Sequence, residues 1–334
     1  MTPGSTDFIC PACRSSLEPK GDGYACAACN RTYPILFGIP DFRLQGDQYL
    51  SLEAEREKAC KLHAYAQDHD LAALISYYYS ITDDVPATLA PVFASYVINA
   101  PRRLQSAVEM LAPQGGQSLL DLGCGGGGAL VAAQGKFGQN TGVDVALRWL
   151  VIARKRLDEL GLNATLVCAD AETLPFRDAS FSHVLASDLL ENTRSPARTM
   201  KAAGAVLKVD GKLYVSSSNA RWPGPHPATG VWAAGFLPEQ FRKASLERKH
   251  GVDILRAVSF VTPASVRKMA HRVSLRQIDI RPLQPDRSQV DGRSIFFKSM
   301  AKLYSAMAKA PLFRTLLIVS GPVFQSVFVK EKAT

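Results

Sequence analysis

Two groups of residues have types and spacings that could do chemistry. Cys10-Pro-Ala-Cys13 and Cys26-Ala-Ala-Cys29 form two C-x2-C pairs separated by twelve residues. Such knuckles can supply four thiolates to one tetrahedral Zn²⁺, and four protein ligands leave no open position, so the metal's role would be structural. Two disulfides or four idle thiols are the alternatives; a reducing compartment disfavours the first and the paired spacing the second. A stretch of about 40 residues has too few apolar side chains to fold alone, so a metal would stand in for the missing core. Cys60 and Cys168 are isolated and are expected in the core. The second group is "LLDLGCGGGGAL", residues 119 to 130, where six of twelve residues are Gly or Cys. A loop of this kind brings backbone close to a ligand, and a dinucleotide, a phosphate or a sulfonium compound would each use one. Gly123, Gly125 and Gly128 fit G-x-G-x-x-G, but Asp121 precedes the first glycine by two positions. A pyrophosphate is anionic and would favour an apolar residue there; a carboxylate favours a cationic ligand.

The elements that must position these residues follow from pattern. "QSLLDL" reads as a strand ending near Asp121, followed by the glycine turn and a helix over "ALVAAQGKFG". "NTGVDVA" puts Asp144 at the end of a second strand, where its carboxylate can accept from both hydroxyls of a ribose. "ATLVCADAETLPF" puts Asp170 after a third strand, placed for an adenine amino group, with the Ala171 backbone amide beside it. "FSHVLASDLLEN" is a fourth strand ending at Ser187 to Leu189, and "GKLYVSSSN" a fifth. Acidic residues therefore follow three successive strands, at the carboxyl edge where open α/β sheets bind ligands.

"LLDLGCGGG", "GVDVA", "ADAETLPF" and "VLASDLLEN", in this order and spacing, resemble the class I S-adenosylmethionine-dependent methyltransferases over about residues 105 to 220, particularly the branch with quinone-biosynthesis and small-molecule enzymes. The resemblance implies an α/β, Rossmann-like sheet, mostly parallel with the last strand antiparallel. It also implies that Gly123, Cys124 and Gly125 pass the methionine part of the cofactor, that Asp144 holds the ribose and that Asp170 and Ala171 hold the adenine. Ser187 and Leu189 would line the methyl end, and Asp121 belongs to the same cofactor-binding set. The family often has Glu-His after the fourth strand; here Glu191-Asn192 stands there, so no role can rest on that histidine. Residues 8 to 43, with "YPILFGIPDFR" after the knuckles, resemble the zinc-ribbon module of methyltransferase activator subunits, also found fused to bacterial methyltransferases.

Methyl transfer from a sulfonium requires alignment of the acceptor and, where needed, removal of its proton. Among six histidines, His226 in "NARWPGPHPATG" after the fifth strand is the candidate base, whereas His183 lies within the fourth strand and reads as packed. Asp188 and Glu191 are weaker candidates for the active-site wall.

The chain divides into a ribbon over 1–43, a helical linker or lid over 44–112 and a methyltransferase domain over 113–334 with insertions at about 220–262 and 286–321. In the linker, Tyr77, Tyr78 and Tyr79 cannot all face one core, which suits one of them to a cleft, although a packing role is the favoured reading for each. After the fifth strand come a helix over "TPASVRKMAHRV", a sixth strand over "LRQIDIRPL" and a last over "PVFQSVFVKEK". Between those strands Phe296, Phe297, Met300, Leu303, Tyr304 and Met307 share one helical arc, with Lys298, Lys302 and Lys309 opposite, and a short apolar segment "PLFRTLLIVSGP" follows. This amphipathic basic insertion is either a lid against the core or, through residues 293–319, a peripheral membrane contact.

With 334 residues, 47% hydrophobic and 21% charged, the composition is that of a globular chain, with no run of 18 apolar residues. The first residues do not resemble a secretory signal, so a cytoplasmic protein is expected, peripheral to the membrane if the insertion touches it. The formal charge of +9 is uneven: residues 241–334 hold 18 Lys plus Arg against 6 Asp plus Glu, net +12, leaving −3 for the rest. That asymmetry suits an anionic partner. The reading with most support is methyl transfer to a small-molecule or lipid-like acceptor. A methyltransferase acting on rRNA or tRNA bases is the alternative, weakened by an N-terminal segment that is not notably basic and by the lack of an Asn-Pro-Pro-Tyr type motif after the fourth strand. A cofactor-binding scaffold without catalysis is a further alternative, disfavoured by intact cofactor motifs.

Overall fold

The computed structural model describes residues 8–46, 50–82, 85, 89–227, 230–250, 258–286, 290 and 295–332. At its start, β1 (Glu18–Pro19), β2 (Gly23–Cys26), β3 (Arg31–Leu36) and β4 (Ile39–Pro40) form a four-stranded antiparallel sheet in sequence order. Four helices follow: α1 (Leu52–Ala66), α2 (Leu71–Ser80), α3 (Ala90–Ile98) and α4 (Ala100–Met110). Ser51 and Asp70 cap α1 and α2 by accepting from the amides of Ala54 and Ala73.

The main sheet has seven strands: β5 (Ser118–Leu122), β6 (Gln139–Asp144), β7 (Thr165–Cys168), β8 (Phe181–Ser187), β9 (Leu207–Ser218), β10 (Leu275–Pro282) and β11 (Val323–Lys330). Their order is β10-β11-β9-β8-β5-β6-β7, parallel throughout except for β11, which runs antiparallel to both neighbours. Between the strands run α5 (Gly128–Ala132), α6 (Leu147–Glu159), α7 (Pro196–Val206), α8 (Glu239–His250), α9 (Pro263–His271), α10 (Ile295–Lys309) and α11 (Pro311–Ser320). Parallel strands buried on both faces read as near-continuous apolar runs, as "SLLDL" does here. Leu119, Leu185, Tyr214 and Val327 face one layer with α4 and α5, and Leu120, Val184, Val215 and Phe328 face the other with α7 and α9.

The ribbon shares the second of these cores. Phe8, Tyr33 and Phe42 are buried in one apolar cluster with Leu120, Val143 and Phe176. The Phe8 ring lies 4.9 Å from Phe42 and 5.9 Å from Phe176. Asp41 bridges Cys168 in parallel at the β7 edge, and the amides of Phe42 and Ile9 donate to the carbonyls of Cys168 and Pro175. The ribbon thereby covers an edge strand that would otherwise present unpaired backbone groups.

One expectation about position is corrected. Cys60 is exposed, because it sits on the outer face of α1 beside the buried Ala59, whereas Cys168 is buried as expected. The apolar arc assigned to 295–309 is only partly turned inward. Tyr304 is half-buried and Ala308 buried, while Met300 and Leu303 are 49% and 53% exposed. The side chains of Phe296 and Phe297 lie outside the described residues. Among the described residues no helix is long and apolar enough to cross a membrane.

Candidate functional site

A cleft of about 260 Å³ opens at the carboxyl ends of the parallel strands. Gly123 and Gly125 form its floor, Asp144, Asp170 and Ala171 one wall, and Asp188 and Leu189 another. The glycine loop has a steric reason. Gly123 has φ +79°, and a Cβ there would stand 2.8 Å from Leu189 Cδ1; at Gly128 a Cβ would stand 2.5 Å from Ala100 Cβ, where α4 packs on α5. Asp144 fixes the turn from the neighbouring strand, accepting from the amide of Gly125 at 2.8 Å and of Ala146 at 2.9 Å. Arg156 holds the loop from below, donating from Nε to the Gly126 carbonyl at 2.6 Å and from its terminal nitrogens to Val97 and Ile98 of α3. Burial pulls this guanidinium down to about 10.

Of the residues expected from sequence, the structure brings Gly123, Gly125, Asp144, Asp170, Ala171 and Leu189 together on the cleft lining. Asp121, Cys124 and Ser187 are not on it. Asp121 lies beneath the loop, 2% exposed, and its Oδ2 has no hydrogen-bond partner among the described residues. Burial, and then the charge of Asp144, push its pKa up to about 8. Cys124 is buried, and Ser187 shares a hydrogen bond with Ser216 at 2.9 Å.

His226 stands elsewhere. It is buried in the loop after β9, 5.8 Å from the Phe260 ring, and is absent from the cleft lining. Burial lowers its pKa and its Nδ1 has no partner among the described residues; its place off the cleft lining is what sets it apart from the expected base. His183 is buried within β8 against Phe137, with its pKa pulled down to about 4 by burial.

The acidic residues after β8 divide by role. Asp188 lines the cleft with left-handed backbone, φ +52°. Its Oδ2 accepts from the Tyr96 hydroxyl at 2.8 Å and its Oδ1 from Ser216 at 3.2 Å, with the Arg103 guanidinium 3.5 Å away and stacked over the Tyr96 ring. Glu191 is buried, accepts from the Ser217 hydroxyl and the Ser218 amide, and is pushed up to about 7 by burial and then by the charge of Asp188. It anchors the β9 end and does not line the cleft.

Sequence reading missed Arg148, Trp149, Glu172, Asn192, Thr193 and Arg194, all of which line the cleft. Trp149 leans on Tyr78 at 4.6 Å, so the aromatic row reaches the cleft wall through Trp149, and none of Tyr77, Tyr78 and Tyr79 lines it. The signal for Trp149 was its place five residues after Asp144, in the first turn of the following helix. Arg194 pairs with Asp170 at 3.3 Å and donates to the Gly46 carbonyl, a contact made across 148 residues that no local pattern encodes.

In the ribbon, the Sγ atoms of Cys10, Cys13, Cys26 and Cys29 lie within 4.8 Å of one another. Cys10 and Cys29 are 3.6 Å apart and Cys13 and Cys26 3.4 Å. A tetrahedral Zn²⁺ with bonds of about 2.3 Å needs sulfurs about 3.8 Å apart, so the four thiols fit that ion. The Tyr33 hydroxyl lies 3.1 Å from Cys10 Sγ, as an outer hydrogen bond on a metal ligand would.

Residues 120–215 match the family described as methyltransferase domain. The matched stretch runs from within β5 to within β9 of the seven-stranded sheet. A ubiquinone biosynthesis O-methyltransferase of Idiomarina loihiensis is 37% identical over 172 residues, which cover 50% of this chain and 65% of that one. A protein of the same description from Coxiella burnetii is 34% identical over 125 residues, 37% of this chain and 52% of that one. The chain thus spans about half to two thirds of the length of these curated relatives. A structure of phosphoethanolamine N-methyltransferase 2 from Haemonchus contortus superposes with a TM-score of 0.49 at 17% identity, covering 75% of this chain and 60% of that one. The methyltransferase domain and the cysteine cluster are separate centres joined by the shared core of ribbon and sheet.

Proposed function

We propose that the chain transfers the methyl group of S-adenosylmethionine to a small-molecule or lipid-like acceptor, and that Cys10, Cys13, Cys26 and Cys29 hold one structural Zn²⁺. The observation that carries the methyl-transfer reading is Asp144. It stands on the cleft wall with its carboxylate fixed by two backbone amides, beside the glycine turn and on the same wall as Asp170. A fixed carboxylate suits a ribose diol, and the orphaned Asp121 oxygen beneath the turn suits a cationic ligand above it. The cofactor, when bound, supplies a methyl already activated on sulfonium. The chain's part is to bind and orient: Asp144 at the sugar, Asp170 and Ala171 at the base, Gly123 and Leu189 at the methyl end, with Asp188 facing the acceptor.

Calorimetry tests this reading. Asp144→Ala removes two ligand hydrogen bonds and is expected to weaken S-adenosylmethionine binding about 10- to 100-fold. Wild type that binds NADH but not S-adenosylmethionine would overturn the assignment. A pH series adds a second arm. Below about pH 8 Asp121 holds a proton. A cation bound above it favours the ionised form, so binding releases protons and affinity rises with pH up to about 8. Asp121→Asn should flatten that rise.

A further inference from the structure

The helices α10 and α11 turn apolar side chains to solvent in a regular stripe. In α11, Leu312, Leu316 and Val319 recur at spacings of four and three residues and are 80%, 54% and 44% exposed, with Phe313 beside them at 46%. The opposite face carries Leu317, which is buried, and Arg314, which donates to the Ile280 carbonyl and lies 3.7 Å from Asp279 of β10. A lid closing on the core would face its apolar stripe inward; this one faces outward. Met300 and Leu303 of α10 continue the exposed apolar surface.

Two more segments near the cleft expose large apolar side chains: Val92, Tyr96 and Ile98 of α3, and Trp232 and Phe236 after β9, Trp232 at 70%. Hydrogen bonds link these elements to the cleft rim. Tyr96 donates to Asp188 at the acceptor end, and the Asp188 amide donates to the Ser216 carbonyl of β9. Three residues on, Asn219 donates to the carbonyls of Ile318 and Val319 in α11. Gly235 abuts the Ala220 backbone, which holds the Trp232–Phe236 turn against the same β9 exit. Charge selects the partner. Residues 295–320 contain Lys298, Lys302, Lys309 and Arg314 and no Asp or Glu, within a C-terminal third of net charge +12. Lys302 and Lys309 are exposed on the same helix as Met300 and Leu303, on its polar side.

We propose that this apolar surface, on a segment with basic and no acidic residues, docks on an anionic phospholipid bilayer, so that the cleft receives a lipid-soluble acceptor directly from the membrane. The inference deepens the methyl-transfer reading and rests on it only for the acceptor. An apolar helix face inserts into the headgroup region while neighbouring lysines meet anionic lipid, and neither contribution suffices alone.

The test uses the full chain with vesicles of phosphatidylglycerol and phosphatidylcholine, and of phosphatidylcholine alone, read by co-sedimentation. Wild type should sediment with the anionic vesicles and weakly with the neutral ones. Leu312→Ser combined with Leu316→Ser should lower partition onto anionic vesicles about 100-fold, with unchanged far-ultraviolet dichroism and S-adenosylmethionine affinity. Lys302→Ala with Lys309→Ala should lower it about tenfold and remove the preference over neutral vesicles. This second pair decides the matter if the serine variant fails to fold. Wild type that stays in the supernatant with both vesicles overturns the proposal, and so does a folded serine variant that sediments as wild type does. Wild type that ignores vesicles but dissociates from dimer to monomer on the serine substitutions assigns the face to a second copy. Wild type that ignores vesicles and binds structured RNA with steep salt dependence assigns it to nucleic acid. Calorimetric binding of S-adenosylmethionine is scored separately: its absence sinks methyl transfer while the vesicle result stands.

Discussion

The ribbon and the helical pair α10–α11 both flank the same sheet, one at the β7 edge and one beside β10, yet their attachments differ in kind. The ribbon sends Phe8, Tyr33 and Phe42 into the sheet's own apolar cluster and adds backbone bonds at the β7 edge. Its buried Asp41–Arg43 pair, joined at 2.8 Å, places a further guanidinium nitrogen 3.1 Å from the Val145 carbonyl, one residue past Asp144. The helical pair buries little: within α11 only Leu317 falls inside, and the ion pair to β10 is half-exposed. An addition that shares a core folds with it, whereas one that keeps its apolar face outside is available to another surface.

The largest expected effect tests the first half of that contrast. Cys26 is buried, and Cys26→Ser should abolish metal binding, measured by elemental analysis. Because the ribbon's aromatics belong to the sheet's cluster, the loss should also lower the melting temperature of the whole domain and weaken S-adenosylmethionine binding. A reading in which the ribbon is an independent module expects cofactor affinity to survive. Survival, with the metal gone, would break the comparison.

A smaller effect separates the two attachments by their arginines. Arg43→Met leaves Asp41, whose side chain is 1% exposed, without its main buried partner, and removal of one member of a buried pair costs about 3–5 kcal/mol. Arg314→Met breaks a pair in which the arginine is 42% exposed, where the expected cost is below about 1 kcal/mol. Denaturant midpoints of the two variants check both. Equal costs would mean that the C-terminal helices are as integral as the ribbon.

Legibility followed the range of the interactions. The strand–glycine–helix unit and the acids at 144 and 170 were readable because each is fixed by its own neighbours: Asp144 bonds an amide two residues on, and the parallel strands are local apolar runs. The cysteine quartet was readable because metal geometry constrains spacing. What escaped depends on contacts distant in sequence. Trp149 and Arg194 reach the cleft through packing on Tyr78 and bonding to Gly46. His226 looked suited to be a base because it lies in a loop over the expected acceptor pocket, but that loop folds onto Phe260 and Val231 and encloses it. The sequence suggests a ribbon over residues 1–43 but not its merger with the sheet core, since Phe8 and Phe176 meet across 168 residues.

The smallest effect lies within one helix and sharpens the second half of the comparison. Leu316 and Leu317 are adjacent and chemically identical, so propensity and unfolded-state terms cancel between them. Leu317 is 8% exposed and packs inward, so Leu317→Ala should cost about 2–3 kcal/mol, the low end of the range for a buried leucine because its surroundings are thin. Leu316 is 54% exposed, and Leu316→Ala should stay within about 0.5 kcal/mol of wild type. Equilibrium denaturation of the free protein in dilute buffer reads both. The order matters more than the sizes, because a helix held as a lid would reverse it: its stability would then rest on the Leu312, Leu316 and Val319 stripe. If Leu316→Ala proves the costlier change in the absence of any membrane, that stripe is covered within the protein in solution and the helix belongs with the ribbon, as part of the folded core.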